Sequence, residues 1–237
     1  MKNSYSETYR ITTNMLDRYE YLKPSAILDL CQNIAGNHAT EMGIGFGPFY
    51  LKGWYWVVVR TKVEIVKNIK KPEVLLLKTY PLKPRFVEYP RDIEIYNENE
   101  IIIKVRTIWM IYNFKTKSIA DTSSLEDFGS DFPGVFLNRV RRIPLVDKIK
   151  LKFIKKVVVL NSMIDHNGHM NNTRYLDLYL DIFGSDEKNS MKGFQVEYLK
   201  QCFLNDTIEL YVYEENNSKY LYGYIKEELM FYLKADY

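Results

Sequence analysis

The sequence predicts an α+β fold in which one unit, a strand followed by a long helix and then several antiparallel strands, is built twice. Three observations predict it. Long stretches alternate apolar and polar residues with the period of a half-buried strand. Two stretches carry the period of an amphipathic helix, and the segments around those two helices are similar to each other.

The strands come first. Glu7 to Asn14, Trp54 to Val66, Glu73 to Leu82, Arg85 to Asn97 and Ile101 to Asn113 alternate and are rich in β-branched and aromatic residues. The stretches "NEN" (97–99) and "NFKTKS" (113–118) supply turn signals between them. In the first helical stretch Ala26, Ile27, Leu30, Cys31, Ile34, Ala35, Ala39 and Met42 recur on one face, and Pro24 stands where a first turn tolerates it. In the second, Tyr175, Leu176, Tyr179, Leu180 and Phe183 do the same, with Asn171 or Asn172 expected as the N-cap.

The two helical segments are copies. A shift of 148 residues pairs Met15 with Met163, Asp17 with Asp165, and Leu28-Asp29-Leu30 with Leu176-Asp177-Leu178; Ile34 then meets Ile182 and Gly36 meets Gly184. That gives seven identities across 15–36, where background composition gives roughly one or two. A shift of 133 pairs Val63-Glu64 with Val196-Glu197, Lys67 with Lys200, Leu77 with Leu210 and Tyr80 with Tyr213. The registers differ because the first copy has a longer connection from helix to strand, containing "GIGFGPFYLKG" (43–53). Residues 1–125 and 151–237 are therefore expected to be the two units. Residues 126–150, with Gly, Pro and Ser and little periodicity, are expected to link them.

Composition excludes several classes of function. Of 237 residues 46% are hydrophobic, enough for a substantial core and too many for a disordered chain. The net charge of +3 is too small to argue for nucleic acid. Two distant cysteines make no disulfide framework and suggest a reducing, cytoplasmic setting. No apolar run approaches a membrane span, and the polar start "MKNSYSETYRITT" lacks a signal-peptide core. One local positive segment stands out: eight basic residues accompany the single acid Asp147 between Arg139 and Lys156. A solvated linker face accounts for it as well as a binding surface does.

Chemistry concentrates at "DHNGHMNNTRYLDLYLD" (165–181), which holds two of the three histidines in front of the second helix. A helix N-terminus presents N–H groups and the positive end of its dipole, which suits a polarised carbonyl oxygen. A neutral histidine is a general base near pH 7. Asp165, Asn167 and His169 share one side if the segment is extended, and together they supply what acyl hydrolysis requires. Three rival readings compete. His166 and His169 could bind a metal with Asp165, although no third strong ligand is evident. Cys202 and His169 could form a thiol nucleophile pair, although a lone cysteine is more often inert packing. The cluster could also be an Asx-rich cap satisfying its own backbone. The repeat weighs against that last reading, since the first copy caps an equivalent helix with Tyr19 and Tyr21 at the places of Asn167 and His169.

The pattern D-x-N-x-H-x-N-N-x-x-Y, here Asp165, Asn167, His169, Asn171, Asn172 and Tyr175, resembles the catalytic motif of the acyl-acyl-carrier-protein thioesterases of the plant FatA/FatB type and their bacterial relatives. "VEYLKQC" (196–202) resembles that family's "LEYRREC", and Trp56 to Glu64 and "TYPLKPRFVEYPRDIEIY" (79–96) are also similar. The resemblance implies a double hot-dog fold, two long helices each wrapped by an antiparallel sheet, with an acyl-pocket half followed by a catalytic half. It implies hydrolysis of a fatty acyl thioester without metal or organic cofactor, by Asp165, Asn167 and His169, and it places Gln201 and Cys202 where the family has glutamate and cysteine. Gln201 is a departure, because an amide cannot serve as a base. The partner implied is acyl carrier protein, an acidic protein. Arg139, Arg141, Arg142, Lys148, Lys150, Lys152, Lys155 and Lys156 are the densest positive run available for it. Neither nucleic acid nor membrane is implied, and a homodimer is compatible. An acyl-CoA thioesterase of the same fold, or a non-catalytic acyl-thioester-binding protein, are the alternatives.

Overall fold

The alternating N-terminal stretch becomes strand β1 (Tyr5–Arg10), whose side chains are half-buried and exposed by turns. The computed structural model describes residues 4–70, 73–122, 125, 129–130, 132–185, 187–188 and 190–237. The chain divides into two units, Met1–Val140 and Arg141–Tyr237.

In the first unit β1 leads through a single turn of 3-10 helix, Thr13–Met15, to α1 (Pro24–Glu41). Pro24 occupies the first helical turn, and the expected face of Ala26, Ile27, Leu30, Cys31, Ile34 and Ala35 is buried. After a short α2 (Phe46–Lys52) come β2 (Trp54–Ile65), β3 (Val74–Pro81), β4 (Tyr89–Asn97), β5 (Glu100–Asn113) and β6 (Ser118–Ile119). They form an antiparallel sheet in the order β1-β3-β4-β5-β2, with β6 on β5. Helix α1 packs on β1 and β3. His38, the third histidine, is buried on its sheet side and accepts from the Arg91 guanidinium at 3.0 Å.

Helix α2 replaces what the sequence reads as a plain connection. Phe49 holds it, stacked on Trp56 at 5.4 Å and edge-on to Trp54 at 5.6 Å. Its two turns are too short to show a helical period, and glycines at 45, 47 and 53 hide it further.

The second unit repeats the order with β7 (Lys152–Val158), a 3-10 turn at Asn161–Met163, α3 (Arg174–Phe183), β8 (Gly193–Tyr198), β9 (Thr207–Glu215), β10 (Ser218–Ile225) and β11 (Glu228–Asp236). Its antiparallel order is β8-β11-β10-β9-β7. Gly223 sits at the bulge between β10 and β11, where a Cβ would stand 2.0 Å from the Phe231 ring, so any other residue would have to displace that ring.

Among the described residues the two helices are unequal in length. Helix α1 has 18 residues and α3 has 10. The apolar stripe explains the difference. After Gly36 the chain continues with buried His38 and Ala39, whereas after Gly184 it reads Ser-Asp-Glu-Lys and offers no face to bury. Gly184 ends α3 at φ 72°, a conformation that suits glycine.

The expected linker, 126–150, partly lies outside the described residues (126–128 and 131). Its described part is pinned. Asp92, fully buried, takes two bonds from the Arg106 guanidinium at 2.6 and 2.7 Å and one from the Val135 N–H at 2.7 Å. The Arg60 guanidinium donates to the Val140 carbonyl at 3.1 Å. In the second unit the Ile143 N–H donates to Glu197 at 3.2 Å and the Tyr232 hydroxyl to the Ile143 carbonyl at 3.0 Å.

Removing one partner of a buried ion pair leaves the other charge uncompensated. Asp92→Ala is therefore expected to destabilise the protein by about 3–5 kcal/mol, read as a fall in the urea unfolding midpoint. An unchanged midpoint contradicts this account of how the segment is held.

Candidate active site

The polar cluster is built on a turn gathered by one carboxylate. Asp165 Oδ1 accepts from the Asn167 N–H at 2.8 Å and the His169 N–H at 3.4 Å. The Asp165 N–H donates to the His169 carbonyl at 2.8 Å, and the Gly168 N–H to the Asp165 carbonyl at 3.0 Å. The first copy makes the same turn. Asp17 Oδ1 accepts from the Tyr19 and Tyr21 N–H groups at 2.9 and 3.0 Å. The Asp17 N–H donates to the Tyr21 carbonyl at 2.7 Å. Glu20 and Gly168 occupy the same positive-φ position, at 67° and 80°.

The frame is thus structural, and the difference lies in the side chains it presents. Asn167 is exposed where Tyr19 stands in the first copy. His169 is half-buried, its ring edge-on to Phe203 at 5.0 Å. In the first copy Tyr21 meets Lys70 instead, the ammonium 5.1 Å from the ring centre. Burial holds the His169 pKa below the ordinary imidazole value of 6.5, with the Asp165 charge opposing it more weakly. The ring is consequently neutral at pH 7 and able to accept a proton. His166, adjacent in sequence, is exposed. Among the described residues no three of His, Cys, Asp and Glu converge to hold a metal ion.

Cys202 and Gln201 are brought alongside this turn. The Met170 N–H donates to the Cys202 carbonyl at 2.8 Å, the counterpart of the Leu22 N–H to Ile69 carbonyl bond at 3.1 Å. Cys202 therefore occupies the place of a core isoleucine, and it is itself fully buried. Burial pushes its thiol up to about 11, the Tyr175 hydroxyl bonded to it drawing it partly back down. Tyr175 is fixed edge-on to Phe231 at 4.5 Å and to Tyr198 at 5.4 Å. Gln201 is half-buried beside it. The contribution of Phe203 is missed by motif reading, yet the repeat signals it, because position 203 answers to Lys70, which faces the ring of Tyr21.

The entry to α3 differs from expectation in detail. Thr173 is the N-cap and makes no side-chain cap bond. Asn171 Oδ1 accepts from the Thr173 N–H at 3.0 Å and its hydroxyl at 3.1 Å, so Asn171 closes the turn before the helix while Asn172 caps nothing. Part of the basic run is neutralised: Arg139 pairs with Glu88 at 2.7 Å, Lys156 with Glu209 at 2.8 Å, and Lys148 with Glu227. Arg141, Arg142, Lys150, Lys152 and Lys155 pair with no carboxylate among the described residues.

The chain is similar to known proteins. Residues 2–126 match the family model for the acyl-ACP thioesterase N-terminal domain, and residues 146–230 that for the C-terminal domain. The chloroplastic palmitoyl-acyl carrier protein thioesterase of Cuphea hookeriana is 23% identical over 199 residues, 77% of this chain and 48% of that protein. The chloroplastic oleoyl-acyl carrier protein thioesterase of Coriandrum sativum is 20% identical over 230 residues, 87% of this chain and 61% of that one. The chain spans about half the length of the first of these curated relatives. The crystal structure of an acyl-ACP thioesterase from Bacteroides thetaiotaomicron superposes with a TM-score of 0.87 at 19% identity, over 99% of this chain and 97% of the other. The 12:0-ACP thioesterase from Umbellularia californica gives 0.83 at 14% identity, over 100% and 97%. The fold is therefore the α+β, hot-dog-like fold of those structures.

A thiol held up to about 11 is protonated at neutral pH. Alkylation of Cys202 by iodoacetamide in the folded protein is expected to be slow at pH 7–8 and to rise only as pH approaches about 11. Fast alkylation with a midpoint near or below pH 7 contradicts this environment.

Proposed function

The chain belongs to the acyl-ACP thioesterase family, and from that premise we propose that it hydrolyses fatty acyl-acyl carrier protein thioesters with water, releasing the free fatty acid. One observation carries the reading: the same aspartate-gathered turn occurs twice, and only the second presents Asn167 and a neutral, half-buried His169.

The neutral imidazole of His169 takes a proton from water as the oxygen adds to the thioester carbonyl carbon. N–H groups entering α3 and the positive end of its dipole steady the oxyanion. Collapse breaks the C–S bond, and His169 returns the proton to the departing thiolate. Asn167, exposed at the mouth, orients the substrate or water. Asp165 holds the turn with Oδ1 and supports the imidazolium electrostatically. Gln201 can hydrogen-bond water without acting as base. Cys202 stays a thiol and packs, which favours water over a covalent acyl-cysteine route. The N-terminal unit shapes the acyl pocket, and the C-terminal unit carries catalysis. Two free, buried cysteines suit a reducing compartment such as the cytoplasm.

For the carrier protein, the exposed cations Arg141, Arg142, Lys150 and Lys152 form the docking surface, with Lys155 beside them. An acyl-CoA substrate is the second reading, and direct comparison of the two thioesters decides between them.

Free fatty acid is expected from acyl-carrier-protein substrates, with chelator present. His169→Ala and Asn167→Ala should each lower the rate by about 10²–10⁴-fold, while Tyr19→Phe and Tyr21→Phe leave it unchanged. The rate should fall on acidification with a midpoint below 6.5, because the lowered pKa keeps the base deprotonated until then. A midpoint above 6.5, or an active His169→Ala, counts against this base.

Salt tests the docking surface. The apparent KM for the carrier-bound substrate should rise with ionic strength, since exposed attraction is screened over a Debye length of about 8 Å at physiological salt. An equal response from a neutral short-chain thioester counts against it.

A further inference from the structure

Around the entry to α3 several polar groups are matched, and one buried side-chain oxygen is not. The Met170 N–H donates to the Cys202 carbonyl at 2.8 Å, and the Asn171 N–H to the Met163 carbonyl at 2.8 Å. The Asn171 side chain is taken by Thr173. The Tyr198 hydroxyl donates to the Asn172 backbone carbonyl at 3.0 Å, fixing that residue from β8. Asn172 Oδ1 is left over: it is buried and has no hydrogen-bond partner, the one such side-chain atom among the described residues. Burying an acceptor unpaired is costly and rare.

The fold does not require it. The shift of 148 residues places Pro24 at the corresponding position, where it starts α1 with no side-chain polar group at all. In the second copy the helix starts two residues later, at Arg174, and a carboxamide stands unmatched in its place. The residue is half-buried although its oxygen is shielded, so the group lies at the boundary between core and solvent.

What would satisfy this atom is a donor. The thioester carbonyl cannot do so, since it only accepts. At the reacting centre itself, the group with an O–H to give is water. We propose that Asn172 Oδ1 holds the hydrolytic water, accepting one O–H while the His169 ring, three residues away on the same segment, takes the other proton. The water's lone pair is then free for the carbonyl carbon. This inference rests on the hydrolase reading above.

The test is competition between nucleophiles on the full chain, with an acyl-carrier-protein thioester in buffer containing hydroxylamine. Water gives acid and thiol; hydroxylamine gives hydroxamate and the same thiol. Asn172→Leu keeps the bulk and removes the acceptor, and Asn172→Asp keeps an oxygen acceptor in place. For Asn172→Leu the acid-forming rate is expected to fall by about 10²-fold. The ratio of hydroxamate to acid should rise by about tenfold or more, with KM little changed. The melting temperature should be unchanged or higher, because an unmatched buried acceptor has gone. Asn172→Asp should keep a ratio near that of the unaltered protein. An unchanged ratio in Asn172→Leu overturns the proposal, as does a loss confined to KM, which would assign the group to an amide of the substrate arm. A lowered melting temperature with a proportional loss of both products overturns it too, in favour of a packing role. If the unaltered protein hydrolyses no thioester, the hydrolase reading fails and this inference with it; if it does and Asn172→Leu matches it, this inference alone fails.

Discussion

A carboxylate that collects the backbone N–H groups two and four residues downstream is the contact on which both units depend. Asp17 and Asp165 make it in the same geometry. It turns the chain back after a strand and a 3-10 turn and aims it into a helix. It also fixes which side chains project at the second and fourth positions. The fifth residue then bonds to the loop that follows the neighbouring strand, Leu22 to Ile69 in one unit and Met170 to Cys202 in the other. Without the carboxylate, two N–H groups in a half-buried turn would go unmatched, at a cost of about 1–3 kcal/mol for each one kept from water. Helix entry, loop docking and the candidate site all follow from one side chain per unit.

Burial supplies the second constraint, and it acts in opposite senses on two neighbours. Desolvation disfavours the charged form of any group. For His169 that form is the imidazolium, so burial yields a free base at neutral pH. For Cys202 it is the thiolate, so burial withholds the nucleophile, and the Tyr175 hydroxyl that donates to its sulfur recovers only part of the difference. One dry environment thus favours proton transfer by His169 and disfavours attack by sulfur. A histidine and a cysteine on adjoining segments look alike in a motif and part company once their surroundings are known.

Much of this was legible in the sequence. Periodicity fixes type over long stretches, and so β2, β5 and α1 fall within a residue or two of expectation. The repeat was legible because packing preserved Leu28, Leu30 and Ile34 against Leu176, Leu178 and Ile182. What escaped is what periodicity does not encode. Helix α2 has too few residues to show a period, and its stability comes from Phe49 against two tryptophans. The early end of α3 depends on the polar stretch after Gly184 rather than on the glycine, since Gly36 lies inside α1. The 126–150 stretch reads as a solvated linker because its anchors are backbone groups bonded to Asp92, Arg60 and Glu197, distant in sequence. Of the site, the residue types were visible. The division of labour between Asn171, which closes the turn, and Asn172, which is left unmatched, required coordinates.

Duplication gives a reason why such a site can exist without undoing the fold. At four positions matched by the two sequence shifts the first copy carries Tyr19, Tyr21, Pro24 and Ile69, and the second carries Asn167, His169, Asn172 and Cys202. The second set includes a histidine that burial keeps neutral and a buried carboxamide oxygen with no partner, neither of which the first copy has at those positions. The turn is held instead by an aspartate and by main-chain groups, which are common to both. Side chains at the second and fourth positions are presented by the frame and do not build it. A polar residue there costs only its own desolvation, and Asn172 incurs that cost where Pro24 shows that none is needed. A buried acceptor at a position where the first copy has proline, three residues from His169, is the kind of group that a bound donor would satisfy.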